Sequence, residues 1–307
     1  MAKRWTPAME KVAKKKAKEM AKNHGKEVKS TPTKEAWKRL TRNKLAVVGM
    51  ILLAALILMA IFAPVISPYD YTLADYDHAM EAPSSAHIFG TDKYGRDILS
   101  RLMNGARVSI PIGFSCVIVA FGVGGVLGAI AAYYGGNVDN VIMRVLDIFQ
   151  SVPPMLMAIA VAAALGNGAI NLVLAIVISS LPARARVVRA AILTVKRNDY
   201  IESAKAMGAS SRRQLVKYML PNALGPILTA FTFSVATAIL TVSSLAYIGL
   251  GIVEPTPEWG AMLSSAKEYI RTAPYMLIFP GIAIMITVLA LNLFGDGLRD
   301  ALDPRLK

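Results

Sequence analysis

Acidic and small residues are spaced in a helical pattern inside a long basic connection, residues 184–221. Asn198 is suited to begin a helix there, because an asparagine side chain accepts hydrogen bonds from the first helical turn. Asp199 and Glu202 then fall in that turn, where the helix dipole favours negative charge. Gly208 follows at the position where a helix commonly ends on a residue with positive φ. These residues predict a short, deliberately terminated helix.

A second short helix is predicted directly after Gly208. Ser211 and Gln214 have the spacing of a capping box, and Leu220-Pro221 ends the helix in this interpretation. One face of the first helix carries Tyr200, Ala204 and Met207. Two short helices that meet at a sharp bend would form a knob suited to a groove in a partner protein. An amphipathic helix lying on a lipid surface is an equally good interpretation of the same residues.

The sequence contains no recognisable catalytic or nucleotide-binding motif. Its Gly-Lys pair, Gly25-Lys26, precedes a glutamate and therefore does not form a phosphate-binding loop. The three histidines lack metal-ligand spacing, and the single cysteine, Cys116, cannot form an intramolecular disulfide or a cysteine cluster. We therefore expect no metal, no cofactor and no enzymatic activity on this chain.

Neutral polar side chains are scattered through the apolar stretches, which contain no acid or histidine of the kind an ion-coupled transporter uses. They could line a polar, uncharged pathway, or they could hydrogen-bond between helices. The set is Gln150, Thr229, Thr232, Ser234, Thr237, Thr241 and Asn292. A conduit of this kind would need an energy source supplied by a partner.

These residues are positioned by apolar runs long enough to cross a membrane. The chain has 307 residues, of which 55% are hydrophobic and only 18% are charged, with a mean hydropathy of +0.48. A span needs roughly 20 apolar residues. Charges and turn residues divide the runs into six spans, at 45–66, 108–134, 148–165, 169–183, 222–248 and 274–294. The fold class is therefore an all-α, polytopic membrane protein with six transmembrane helices.

The distribution of basic residues predicts the orientation of the spans. Residues 1–44 hold 15 Lys and Arg against 4 acids, and 28 of the 34 Lys and Arg fall on one side of the six-span arrangement. Because basic connections stay in the cytoplasm, both termini are expected there. The basic tail runs directly into the first span, so contact with membrane lipid is a better interpretation than binding to nucleic acid.

The inner connection resembles the EAA loop of ABC importer permeases. The resemblance rests on Glu202-Ser203-Ala204, Gly208 and Leu220-Pro221 at the family's spacing, with Ser203 and Tyr218 as mild departures. The longer string from Asp199 to Pro226 is similar to the dipeptide and oligopeptide branch. By this resemblance, the ATPase-coupling loop comprises Asp199, Glu202, Ser203, Ala204, Gly208, Leu220 and Pro221.

Three further segments resemble the "C" permease of peptide importers, so that the resemblance covers roughly residues 35–307. They are the approach to the membrane from Trp37 to Ala46, the outer motif from Phe89 to Arg107, and the end of the chain from Asn292 to Arg305. Lys38 is a mild departure from the family's usual arginine. The outer motif includes Gly90, Thr91, Asp92, Gly95, Arg96 and Asp97. It would brace the outer helices or contact a binding protein, or it is simply a capped turn before a helix.

The resemblance implies a type I importer in the cell membrane. This chain would pair with a sister permease as a heterodimer, two ATPase subunits would carry ATP and Mg²⁺, and an external binding protein would deliver di- or oligopeptides. The expected segments are a basic cytoplasmic tail (1–44), a first transmembrane helix (45–66), an extracytoplasmic loop (67–107), a permease core (108–298) with its EAA loop at 199–221, and a cytoplasmic end (299–307).

Other functions fit parts of the same sequence. Closely similar permeases carry nickel complexes, glutathione or other small solutes. A stand-alone secondary transporter or channel would need no ATPase partner. A membrane-anchored scaffold is disfavoured by the six spans and the ordered loop motifs.

Overall fold

The computed structural model describes residues 32–302, which fold almost entirely into helices. No β-strand occurs within that range. An isolated antiparallel β-bridge joins Thr91 and Asp97. Short 3₁₀ turns occupy Tyr76–His78 and Lys267–Tyr269. The helices are α1 (Pro32–Leu40), α2 (Lys44–Ile66), α3 (Ile98–Tyr134), α4 (Gly136–Gln150), α5 (Pro154–Leu165), α6 (Ala169–Lys196), α7 (Asp199–Ala206), α8 (Ser211–Tyr247), α9 (Trp259–Ala266) and α10 (Tyr275–Leu302).

Five of these helices are long and apolar enough to cross a membrane: α2, α3, α6, α8 and α10. Helices α4 and α5 pass the same test as a pair, although they meet at an angle of 77°. The described part of the chain therefore has five continuous spans, or six when the bent pair counts as one. The all-helical, polytopic class is confirmed.

The predicted third span, 148–165, is wrong as a single helix. Ile148 lies near the end of α4, and the chain breaks at residues 151–153 before α5 begins at Pro154. The break lies at the Pro153-Pro154 pair, because proline lacks the amide hydrogen of a helical turn and restricts the residue before it. The apolar composition of the run concealed this bend.

Several helices extend well beyond the predicted spans. Helix α3 starts at Ile98 rather than at residue 108, and α6 continues through its arginines to Lys196 instead of ending at residue 183. A helix of 28 residues is about 42 Å long at ~1.5 Å per residue, which exceeds the ~30 Å hydrocarbon core. Arg189 and Lys196, nearer the end of α6, can thus lie outside the hydrocarbon while the helix remains intact.

The central packing contact joins α3 and α6 along a stripe of small residues. A Cβ atom on Gly124 would lie 2.9 Å from the Leu181 carbonyl oxygen, and one on Gly128 would overlap the Ala185 carbonyl. Such small residues let two helix backbones approach closely in a lipid environment. The ammonium of Lys196 donates hydrogen bonds to two carbonyls in the last turn of α3, which fixes this end of the helix pair.

The first two helices pack against the last one. Asn43 caps α2, because its side-chain oxygen accepts hydrogen bonds from the amides of Leu45 and Ala46. Leu40, Ala46 and Ala301 form a small buried cluster that joins α1 and α2 to the end of α10. Residues 1–31 and 303–307, which include the basic tail and the Asp303–Arg305 part of the terminal motif, lie outside the described residues.

Candidate functional site

Helix α7 lies at the surface of the inner connection and is anchored by two of its side chains. Ile201 and Ala204 are buried, and Ile201 packs in one apolar cluster with Val195 of α6 and Met219 of α8. The predicted common face is therefore only partly correct, since Ala204 is buried while Tyr200 is 42% exposed and Met207 is 81% exposed. These two exposed apolar residues leave one surface of the α7 region uncovered by the rest of this chain.

Gly208 ends α7 in the conformation that the sequence predicts. Its φ is +80°, the amide of Gly208 donates to the Lys205 carbonyl, and the amide of Ala209 donates to the Ala204 carbonyl. This pair of hydrogen bonds is a Schellman motif, in which glycine is favoured because the left-handed conformation strains other residues. A Cβ atom on Gly208 would meet nothing within 4 Å, so the bend is open to a partner.

The polar residues at the start of α7 face solvent. Asn198 precedes the helix in an extended conformation but makes no side-chain capping bond. Asp199, Glu202 and Ser203 are exposed, with the acids in the first turn as predicted. The Ser203 hydroxyl donates to the Asp199 carbonyl, 2.9 Å away. The acids thus place negative charge beside the positive end of an exposed helix.

The predicted capping box after the bend is wrong. Ser210, not Ser211, precedes α8, and it makes no capping bond. The buried Gln214 side chain instead donates to the Ala209 carbonyl, 2.6 Å away, and accepts from the Tyr133 hydroxyl at the end of α3, 3.2 Å away. Gln214 therefore ties the bend to the membrane helices.

The second short helix does not end at Leu220-Pro221. Helix α8 runs unbroken from the inner connection to Tyr247, and Gln214–Met219 within it form a π-turn. The amide of Leu220 donates to the Leu215 carbonyl, five residues back. Because Pro221 lacks an amide hydrogen and would crowd the preceding turn of an α-helix, the wider π-turn accommodates it. The loop is thus one short helix joined rigidly to a membrane-spanning helix.

The outer motif forms a buried ionic network. The Arg96 Nε donates to Asp92, 2.7 Å away, and its terminal nitrogen donates to Glu254, 2.9 Å away in the connection between α8 and α9. Arg101 of α3 approaches the same Asp92 carboxylate at 3.4 Å. Asp92, Arg96 and Arg101 are almost fully buried. Paired charges at this depth fix the relative position of two outer connections that are far apart in sequence.

The remaining outer-motif residues shape the turn that holds this network. Asp97 caps α3 by accepting from the amide and the hydroxyl of Ser100, so the turn before this helix is capped. The Thr91 hydroxyl donates to the His78 carbonyl and accepts from the Glu81 amide. Gly90 and Gly95 have positive φ, and both lie against neighbouring backbone that excludes a side chain. Because these groups point inward, their burial favours a brace over a contact surface.

Glu258 is a buried acid whose importance the sequence did not reveal. It is fully buried, and its carboxylate caps α9 by accepting from the Ala261 amide and also accepts from the Ser109 hydroxyl of α3. Burial raises the pKa of Glu258 above its ordinary value, although these hydrogen bonds partly oppose the shift. Nothing in the local sequence distinguishes it from a solvated loop acid.

The predicted pathway hydroxyls satisfy their donors within their own helix. Each hydroxyl donates its hydrogen to the carbonyl four residues before it on α8. The alternative prediction, that these five hydroxyls donate hydrogen bonds to a neighbouring helix, is therefore wrong. The five residues are Thr229, Thr232, Ser234, Thr237 and Thr241. Among them, Thr232 and Ser234 are buried, because they pack against neighbouring helices, whereas Thr237 is exposed.

The other two predicted pathway residues lie elsewhere. The Gln150 oxygen accepts from Arg186 at the end of α4, where Arg186 also pairs with Asp147. Asn292 is half-buried on α10. The structure does not bring these residues together with Thr237 and Thr241.

Thr237 and Thr241 instead line a cavity of about 330 Å³ between α3, α5, α6 and α8. Its polar lining also includes Ser179, Ser180 and Arg184 of α6, none of which the sequence marked as a pathway residue. The Arg184 Nε is buried without a hydrogen-bond partner among the described residues. In the sequence, Arg184 marked the end of a span, which concealed its position at a cavity wall.

Comparison with known proteins identifies this architecture. Residues 124–307 match the family described as the binding-protein-dependent transport system inner membrane component. The chain belongs to this family. Residues 31–83 also match the N-terminal transmembrane domain of oligopeptide transport permease C. The protein is therefore a multi-pass inner membrane permease subunit of a binding-protein-dependent ABC transport system, a family whose members work with ATP-binding subunits and a binding protein.

Relatives that are named for different substrates have similar sequence identities to this chain. The chain is 43% identical over 277 residues to a dipeptide transport system permease protein of Alkalihalophilus pseudofirmus, covering 90% of this chain and 91% of the relative. It is 45% identical over 278 residues to a glutathione transport system permease protein of Pectobacterium atrosepticum, covering 90% and 92%. It is 42% identical over 283 residues to a di/tripeptide transport system permease protein of Pseudomonas aeruginosa, covering 90% and 93%.

A solved structure supports the fold of the membrane core. The MetNI methionine ABC transporter in inward-facing conformations contains a chain that matches with a TM-score of 0.56 at 20% identity. The match covers 67% of this protein and 98% of that chain.

Proposed function

We propose that this permease forms half of the translocation pathway for di- or oligopeptides, paired with a similar sister permease. The observation that carries this proposal is the likeness, over nine-tenths of the chain, to permeases named for dipeptide and di/tripeptide transport. The cavity beside α6 and α8 lies on an incompletely covered face of a single subunit, as expected of one wall of a shared pathway. The sister permease supplies the opposite wall.

In this proposal α7 is the coupling helix that enters a groove on an ATPase subunit. Its exposed apolar residues, Tyr200 and Met207, cover part of the groove, and the open bend at Gly208 lets the groove wall approach the backbone. ATP and Mg²⁺ bind to the ATPase subunits rather than to this chain. Movement of those subunits is transmitted to the membrane because Gln214 and the unbroken helix α8 connect the loop rigidly to the spans.

The orientation follows from the same arrangement. The ATPase subunits are cytoplasmic, so the inner connection and both termini face the cytoplasm, in agreement with the distribution of Lys and Arg. The buried outer network then lies outside the membrane on the side where the binding protein delivers the peptide. We propose that it keeps the outer connections rigid while the pathway opens and closes.

Glutathione is the second candidate substrate, because a glutathione permease is as similar to this chain as the peptide permeases are. The test is uptake of labelled dipeptide, glutathione and nickel in cells that lack their native systems and express this permease with its sister, ATPase and binding-protein subunits. Saturable dipeptide uptake that requires all subunits supports the proposal. Uptake of glutathione alone would replace the substrate, and uptake of nickel alone would overturn both candidates.

A separate experiment tests whether the chain can transport without its partner subunits. The purified permease, reconstituted alone in liposomes, is expected to transport nothing, whereas the complex with its sister and ATPase subunits transports peptide when ATP is present. Transport by the chain alone would establish a secondary transporter or channel and would refute the proposed mechanism.

A further inference from the structure

The cavity beside α6 and α8 contains a cation, Arg184, that no carboxylate among the described residues neutralises. The described residues 32–302 provide no carboxylate within ion-pair distance of Arg184, and its Nε is buried without a hydrogen-bond partner. Among the same residues, the Arg184 guanidinium makes a cation–π contact with the Phe121 ring, whose centroid is 5.6 Å from Cζ. Two other arginines on the same helix behave differently, since Arg186 pairs with Asp147 and Arg189 pairs with Asp139.

This difference is physically significant because arginine remains charged in proteins and carries five hydrogen-bond donors. Leaving such a group inside a membrane protein without an anionic partner is unfavourable, and ionisable groups at this depth usually serve transport. At ~1.5 Å per residue, Arg184 lies about 22 Å along α6 from its first residue. A visiting carboxylate would supply the missing partner.

Four hydroxyl groups of the opposite hydrogen-bonding character share the cavity lining with apolar side chains. The hydroxyls of Ser179, Ser180, Thr237 and Thr241 each donate their hydrogen to a carbonyl of their own helix, at 2.9–3.4 Å. A hydroxyl that has donated its only hydrogen retains lone pairs and acts as an acceptor. These groups therefore present hydrogen-bond acceptors, which suit an ammonium or amide N–H.

We propose that this cavity is a subsite for a zwitterionic substrate in the permease itself, with Arg184 binding the substrate carboxylate and the four hydroxyl oxygens accepting hydrogen bonds from its nitrogen groups. The proposal rests on the proposed import of small peptides and assigns them a required feature, a free carboxylate. It also gives the membrane subunit a role in selecting substrates that is separate from selection by the binding protein.

The first test measures whether Arg184 acts as a free charge in the assembled transporter. Met155 lines the same cavity and is exposed, so Met155→Cys in a Cys116→Ala background provides a reporter thiol. The complex of permeases and ATPase subunits, in nanodiscs, is treated with anionic and cationic methanethiosulfonate reagents, and labelling of this subunit is followed by mass spectrometry. One unit charge at roughly 6 Å in water-like surroundings changes each rate about threefold in opposite directions, a rate ratio of about ten.

The expected ratio of about ten favours the anionic reagent, and it falls towards one in Arg184→Gln. Arg184→Lys retains it, and the matched control Arg186→Gln leaves it unchanged, because that arginine is already paired. Co-purification of the partner subunits establishes that each variant is assembled. Equal rates for the two reagents in the unmodified Arg184 protein would mean that an acid of the sister permease neutralises Arg184, and would overturn the proposal.

The second test measures binding without the binding protein. Dialanine is expected to slow labelling of the reporter thiol by uncharged N-ethylmaleimide at least threefold, whereas its C-terminal amide has no effect, and Arg184→Gln removes the protection. Absence of protection by dialanine, or equal protection by both compounds, would overturn the proposal. If cells take up peptide while both tests are negative, only this subsite fails. If they take up no peptide, the proposed function itself fails.

Discussion

Replacement of Gly208 by leucine gives the sharpest test of the coupling loop. The φ of Gly208 is +80°, and an L-residue in the left-handed region costs roughly 1–2 kcal/mol. A Cβ atom there meets nothing within 4 Å, so this chain adds no steric cost. A membrane subunit with an ordinary stability of about 5–15 kcal/mol tolerates that loss. Gly208→Leu is therefore expected to insert and to assemble with its sister permease.

The larger effect is expected where α7 meets the ATPase subunit. A close-packed interface has no room for an added isobutyl group beside Met207, and overpacking of this kind costs about 1–3 kcal/mol. Since about 1.4 kcal/mol corresponds to a tenfold change in affinity, retention of the ATPase subunits should fall by about 5-fold to 150-fold. Peptide uptake should be lost, because energy can no longer be transmitted to the spans.

The assay compares ATPase co-purification and peptide uptake at matched amounts of permease in the membrane. Gly249→Leu is the matched control, because Gly249 has a φ of +87°, likewise has open space where a Cβ atom would lie, and follows the opposite end of α8. It should incur the same backbone strain and retain the ATPase subunits. Gly208→Asn separates the two effects, since asparagine tolerates the left-handed conformation better than leucine does.

Normal uptake by Gly208→Leu would show that α7 does not dock on the ATPase subunits. Equal loss of these subunits from Gly249→Leu would show that backbone strain, rather than obstruction of a groove, explains the result. Either outcome refutes the coupling mechanism proposed for this loop.

Four further changes test the rest of the structure. Glu202→Lys reverses charge at the start of α7 and should weaken ATPase retention less than Gly208→Leu, because charge–dipole effects at an exposed helix end are only about 0.3–1 kcal/mol; a stronger effect than that of the glycine variant would contradict this ranking. With the native cysteine replaced by alanine, a cysteine at Ser85 should react with an impermeant reagent in intact cells, whereas one at Ser211 should react only after permeabilisation; equal labelling would refute the orientation. Arg96→Ala leaves the buried Asp92 carboxylate with only its longer ionic contact to Arg101, a loss of up to about 3–5 kcal/mol, so the thermal unfolding temperature of the purified complex should fall markedly; an unchanged temperature would show that the outer network is not a brace. Burial raises the pKa of Glu258 above 4.5, so ionisation destabilises the folded state, and stability should decrease as pH rises from that value through the folded pKa; Glu258→Gln should flatten this part of the pH profile, and identical profiles would contradict the assignment.

Local sequence was sufficient to specify the class of protein and the end of helix α7. Membrane spans are specified by composition over about 20 residues, and this information is contained within each run. The end of α7 at Gly208 was equally predictable, because a Schellman motif depends on a few consecutive residues. The family resemblance drew on the same kind of information, ordered motifs at fixed local spacing.

Local patterns failed where a distant or unusual partner determined the outcome. The capping box at Ser211 did not form, because Gln214 finds Tyr133 at the end of α3 instead. The helix did not end at Pro221, since a π-turn accommodates a residue that would interrupt an ordinary α-helix. Both errors arose from treating as isolated a segment that packs on the membrane helices.

The partners of the charged groups are apparent only in the folded chain. Arg96 meets Glu254 across 158 positions of sequence, and Ser109 meets Glu258 across 149 positions. On the sequence, Arg184 and Arg186 are equivalent arginines at the end of a span. In the folded chain, Arg186 reaches Asp147 while Arg184 turns to a cavity whose described lining contains no acid. Hydropathy is a sum over neighbours in the chain, whereas a charge is neutralised by neighbours in space, so the folded helices alone distinguish a structural arginine from one available to a substrate.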